Sequence, residues 1–294
     1  MSLNDLLKRD GVDPERVLVL RHCPQEPGLN KKLPWLAAEK PDVFNAYQQT
    51  QNKPLEKAMA ALVDKGHVAS FLGREPGSAL FVGLYAIVGA KPLTGRQCLK
   101  LPAYAEMNRL RMHKWTEKEK SEKVLWFDLK LTRFRAQWKG KLVIGWPPPE
   151  RSWWRRAHRN DFPVLAIHEE STLDAAMPPW NELDLSCEEL RVLPTKWKAA
   201  LAEWRAIYYI FDTSDRKGYV GSAYGEENLL TRWVRYAADG HGGNCLLRGR
   251  NPRNFRFTIL QRVSPDMDPA EVIRLEQTWK ERLHTREPVG MNDN

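Results

Sequence analysis

The sequence predicts an α+β chain of two domains joined by a short connector. Three observations predict it. Residues 196–294 alternate strand and helix patterns in the order β-β-α-β-α. Residues 1–170 carry several strand patterns with one or two helices, which suits an α+β or barrel-like domain. Between them, "EESTLDAAMPPWNELDLSCEELRVLPT" is acidic, contains Pro178-Pro179 and holds no sustained period. Residues 171–195 therefore read as an ordered connector with a short helix at most.

The elements follow in order. "PLEKAMAALVDKG" is an amphipathic helix with Leu55, Met59, Leu62 and Val63 inward. "SALFVGLYAIVG" is a well-buried strand, and "KVLWFDLKLTRF" alternates with Leu125, Phe127, Leu129 and Leu131 on one face. "AEMNRLRMHKWTEKEKSEK" is charged throughout and reads as an exposed helix or long loop. "GKLVIGW" and "FPVLAIHE" are further strands. After the connector, "TKWKAALAEWR" is a short helix. "AIYYIFD" and "KGYVGSA" form a hairpin around the polar turn "TSDR". "EENLLTRWVRYAADG" is a helix closed by Gly240. "NFRFTILQRV" is a strand with Phe255, Phe257 and Ile259 on one face. The last helix starts at Asp268-Pro269, with Glu271 as capping-box partner.

Composition narrows the function classes. The net charge is +9 and the sequence pI about 9.4. Eighteen Lys and Arg against six Asp and Glu lie between Lys91 and Arg159, while residues 206–294 are nearly neutral. Such asymmetry points to a polyanionic partner. No apolar run reaches the roughly 18–20 residues that cross a bilayer. The first residues lack the apolar core of a signal peptide, so a cytoplasmic protein is expected. The four cysteines are widely spaced, which argues against a zinc site and for reduced, mostly buried thiols.

Several polar groups in the C-terminal region stand out. Arg232 and Tyr236, four apart, share a helix face and together offer donors to a phosphate; a snorkelling arginine over a ring is the alternative. On the last helix Glu276 falls within the apolar stripe of Val272, Leu275, Trp279 and Leu283. A carboxylate there calls for a cation. A hard ion such as Mg²⁺ takes one or two carboxylates, and an ion pair with Arg232 is the alternative. "GHGGN" (240–244) reads as a turn, with phosphate binding as the less favoured option.

These residues form a pattern. Ala206-Ile207-Tyr208, ten residues and then Tyr219-Val220-Gly221 resemble the paired signature of the GIY-YIG endonuclease family. Arg232, Tyr236 and Glu276 match its helix arginine, the Tyr or His one turn later and its metal-binding glutamate. Asn292, with Asn294 as a rival, matches its late asparagine. Ala206 departs from the first glycine. The resemblance covers about a third of the chain and implies a nuclease domain over 196–294. It implies Mg²⁺ or Mn²⁺ on Glu276, Arg232 on a non-bridging oxygen, and Tyr208 either as general base on the attacking water or as the group that positions it. Tyr219 and Tyr236 would position water and phosphate, and Asn292 would orient the site. A homodimer would let two single-metal sites cut both strands.

The N-terminal region 1–170 is then expected to read DNA. "WKGKLVIGWPPPERSWWRRAHR" interleaves Trp146, Trp153 and Trp154 with Arg151, Arg155, Arg156 and Arg159, types that stack on bases and pair with phosphates. The region faintly resembles PUA-like folds of the EVE and SRA type, which implies a pocket for a flipped, modified base. Phe71, Trp126 and Asp128 are candidates for that pocket. A metal-dependent restriction endonuclease is the leading expectation. Alternatives are a repair or branched-DNA nuclease, a non-cleaving binder, and RNA as the substrate.

Overall fold

A computed structural model describes residues 1–73, 75–112, 115–173, 176–224 and 228–293. It is a mixed α+β structure, and the chain divides into two compact units, Met1–Ala175 and Ala176–Asn294.

The first unit contains β1 (Val17–His22), β2 (His67–Leu72), β3 (Ser78–Thr94), β4 (Lys123–Leu131), β5 (Leu142–Gly145), β6 (Trp154–Arg156) and β7 (Val164–Ile167). Its helices are α1 (Leu3–Arg9), α2 (Pro27–Glu39), α3 (Pro41–Gln48), α4 (Lys53–Ala60), α5 (Gly95–Cys98), α6 (Pro102–Arg109) and α7 (Glu117–Ser121). The strands make a curled half-barrel sheet in the order β6-β1-β2-β3-β5-β7, with β4 also paired to β3. β1 runs parallel to β2, and the other described pairs are antiparallel. The 17-residue β3 serves three partners in turn, and a register shift between Ile87 and Gly89 bends it where β4 pairs.

Strand alternation feeds two cores. Val17, Val19, Ala69 and Phe71 join Leu3, Leu6 and Leu7 of α1 on one side. Leu18, Leu20 and Val68 join Leu55, Met59 and Leu62 on the other. The helix Lys53–Ala60 is capped by Asn52 and is shorter than expected: it turns Leu55 and Met59 inward, while Leu62, buried, and Val63, half-buried, lie in the turn after it. Leu131, expected inward, is 52% exposed at the end of β4.

The second unit contains β8 (Asp184–Ser186), α8 (Cys187–Arg191), α9 (Thr195–Glu203), β9 (Arg205–Asp212), β10 (Lys217–Ala223), α10 (Leu229–Asp239), β11 (Phe255–Val263) and α11 (Pro269–Arg282). Its sheet has the order β10-β9-β11-β8 and is antiparallel throughout. The segment expected to be a connector thus supplies a fourth strand, since Leu185 pairs with Phe257 and is fully buried. Only three residues of it are strand, too few to show a period in the sequence. All four cysteines are free, but only Cys98 and Cys187 are buried; Cys23 and Cys245 are exposed.

Candidate functional site

The site is built on the β9–β10 hairpin. Gly221 stands opposite Tyr208, and Tyr219 opposite Ile210. A Cβ on Gly221 would lie 2.6 Å from the Tyr208 hydroxyl, so glycine is what lets that phenol lie across β10. Tyr209 points the other way, stacks beside Phe211 and covers Gly218. Ala206, in place of the signature glycine, is fully buried opposite Ala223. Arg250 clamps the hairpin turn by holding Asp212 at 2.7 Å and Asp215 at 2.9 Å.

α10 completes a cluster of three phenols. Asn228 caps its start and Gly240, at φ +81°, closes it. Trp233 packs edge-on against Tyr208 and tilted against Phe257, which fixes the helix on that face. The Tyr208 hydroxyl donates to Tyr236 at 3.4 Å, and Tyr236 donates to Tyr219 at 3.2 Å. Tyr208 and Tyr236 are buried, while Tyr219 is partly open. Burial is the main force pushing all three phenols far above their ordinary range; neighbouring phenols add to it, and so does Glu276 at Tyr208 and Tyr219. The charge of Arg232 opposes the shift at Tyr208 and Tyr236.

α11 packs on the other face of the sheet through Val272, against Ile207, Val220 and Val263. Asp268 caps it at Ala270, but Glu271 does not close the expected capping box and lies 3.9 Å from Arg274 instead. Ser222 on β10 donates to Glu276 Oε2. Lys280, one turn further along α11 and 2% exposed, holds Glu276 Oε1 at 2.8 Å. The cation that Glu276 demands is therefore Lys280, not Arg232. Asn292 grips β10 from outside the hairpin. Its Oδ1 accepts from Val220 N at 2.9 Å and its Nδ2 donates to Val220 O at 2.8 Å, as a neighbouring strand would. Asn294 lies outside the described residues.

This arrangement limits the chemistry. Neutral buried phenols are hydrogen-bond donors and relays, so Tyr208 is placed to orient rather than to act as a free base. The 240–244 turn uses its own amides. His241 and Gly242 donate to Asp239, and Gly243 donates to His241, so these N–H groups do not form an anion cradle. Among the described residues no group of three or more His, Cys, Asp or Glu side chains converges. Glu276 alone suits a hydrated Mg²⁺ or Mn²⁺, which needs one or two carboxylates, provided Lys280 turns aside.

The nucleic-acid candidates of the first unit separate. Trp146 is a core residue: 4% exposed, tilted against Phe162 and donating its indole N–H to Ser152 O. Arg155 holds the carbonyls of Pro147 and Pro149 and the Asn160 side chain, so its donors shape that loop. Trp154 packs on the second core, and Arg156 lies in the short edge strand β6. Arg151 and Arg159 are exposed. The three base-pocket candidates have different surroundings among the described residues. Phe71 is fully buried against Phe81, Trp126 lies half-buried beneath Lys91, and Asp128 is half-buried opposite Gly89. The 760 Å³ cleft of this unit lies elsewhere, and of all these residues only Arg151 and Trp153 line it.

Two site residues escaped the sequence reading. Lys280 had a signal, since it stands four residues after Glu276, the favoured order for a helical ion pair. Ser222 had none beyond strand alternation. In comparisons with known proteins the chain matches no family model, no curated protein and no solved structure.

Proposed function

We propose that the second unit hydrolyses phosphodiester bonds in DNA, as its resemblance to GIY-YIG endonucleases implies, and that the first unit selects the target, as a restriction enzyme acting on modified DNA would. The observation that supports this most is the hydroxyl chain of Tyr208, Tyr236 and Tyr219, at which the charges of Arg232 on α10 and Glu276 on α11 are felt. Arg232 binds a non-bridging phosphate oxygen and stabilises the charge that builds there. Tyr219, the most open phenol, hydrogen-bonds the attacking water. Tyr236 and Tyr208 hold Tyr219 through the hydroxyl chain. Asn292 keeps β10 straight beneath them. Glu276 would hold one Mg²⁺ or Mn²⁺, which when bound polarises the phosphate and stabilises the leaving oxygen.

The test is cleavage of plain and base-modified duplexes by the full chain, with Mg²⁺, with Mn²⁺ and with chelator. Metal-dependent cuts are expected, and Glu276→Gln should remove them. Intact DNA under every condition, or a Glu276→Gln variant that cuts like wild type, would overturn the proposal. One observation favours a second reading, a non-cleaving DNA-binding protein: Lys280 already neutralises Glu276. Tight binding without cleavage would select it.

A further inference from the structure

The first unit contains a cleft of 760 Å³ beside the end of β1. Three aromatic side chains from distant parts of the chain line it: Tyr47 of α3, Trp115, and Trp153 just before β6. Convergent rings suit a planar ligand, because each offers a stacking face.

His22 in the cleft wall is the second sign of a ligand. It is 3% exposed and wedged edge-on between Phe44 and Tyr47, at 5.5 and 5.3 Å. Its Nε2 makes no hydrogen bond to any described residue. Burial lowers the ring's pKa to about 4, so the imidazole is neutral. A buried polar nitrogen without a partner is rare and costly unless something binds it.

Charge and size narrow the ligand. Glu26, Glu119 and Glu150 line the cleft against Arg21 and Arg151. Arg21 is already engaged by Glu150 at 3.4 Å and by the carbonyls of Glu75 and Ser78. A phosphate is thus disfavoured here, in a chain whose net charge is +9. The Glu26 carboxylate and the Gln51 amide oxygen can instead accept from hydroxyl groups. The volume lies in the range that holds drug-sized ligands, more than one bare ring fills.

We propose that this cleft binds a flipped nucleobase that carries a hydroxyl-rich substituent such as a sugar. The ring stacks among Tyr47, Trp115 and Trp153, its polar edge meets His22, and the substituent reaches the Glu26 carboxylate and the Gln51 amide. Extruding the base carries an unstacking cost, which the aromatic walls offset. This inference rests on the reading of the first unit as the part that selects DNA.

The test uses the full chain in chelator, so that binding is read without cleavage. Fluorescence anisotropy compares duplexes holding one glucosylated hydroxymethylcytosine, one 5-methylcytosine or plain cytosine. At least tenfold tighter binding of the glucosylated duplex is expected. Tyr47→Ala and Trp153→Ala should each remove that preference, while Trp153→Phe retains it. Equal affinity for the three duplexes, or a preference that survives both alanine variants, would overturn the proposal. Cleavage in Mg²⁺ is scored separately. Selective binding without cutting removes the nuclease reading and leaves this one, and cutting without selectivity does the reverse.

Discussion

The β9–β10 hairpin and the segment 146–159 are both rich in aromatic and basic residues, and the fold uses them in opposite ways. In the hairpin, Tyr208 and Tyr219 meet a third phenol, Tyr236, and the charges of Arg232 and Glu276. In 146–159, Trp146 fills a core and Arg155 braces a loop, while Trp153, Arg151 and the acidic Glu150 line the cleft. Residue type alone did not separate the two. Spacing did: positions paired across two adjacent strands share a face by geometry, whereas interleaved tryptophans and arginines in an irregular segment carry no such constraint.

The sharpest way to break this contrast is Trp146→Ala. As a core residue it should cost about 3–5 kcal/mol in urea unfolding. Exposed Arg159→Ala should leave stability within about 0.5 kcal/mol and reduce the salt slope of DNA binding by about 1. If Trp146→Ala is as stable as wild type but binds DNA poorly, the core assignment fails.

Acid should act next, and on the first unit. The pKa of His22 is about 4 in the fold and near 6.5 in the open chain. Between those values the unfolded state binds the extra proton, so stability present above pH 6.5 is lost as pH falls toward 4. The loss should approach about 3 kcal/mol. Unfolding of His22→Gln across that window should show a flatter slope; an unchanged slope would place the titration elsewhere.

Gly221→Ala probes the hairpin. Its Cβ would press on the Tyr208 hydroxyl, so a loss of about 1–3 kcal/mol is expected. Cleavage should fall further than stability explains. A neutral Gly221→Ala would mean that Tyr208 turns aside without consequence.

The smallest expected effect is at Lys280. Lys280→Met removes the cation from Glu276 at similar volume. Mn²⁺ binding, followed by titration calorimetry, should tighten by about tenfold, because the carboxylate loses a competing partner. Weaker binding would show that Lys280 supports the metal rather than excluding it.

Much of the second unit was legible because its signals are local. Alternation set β9, β10 and β11, Asp268 caps α11, and Gly240 ends α10. The same alternation separated Tyr208 from Tyr209, and helical spacing placed Glu276 with the apolar stripe. Tertiary structure decided the partners. That Lys280 rather than Arg232 pairs with Glu276, that Leu185 adds a strand beside β11, and that Tyr47, Trp115 and Trp153 share a cleft all depend on contacts between separate segments. Periodicity determines which face a side chain takes, because backbone geometry repeats every 2 or 3.6 residues. It holds no information about which distant residue lies on that face, since chain packing alone brings such neighbours together.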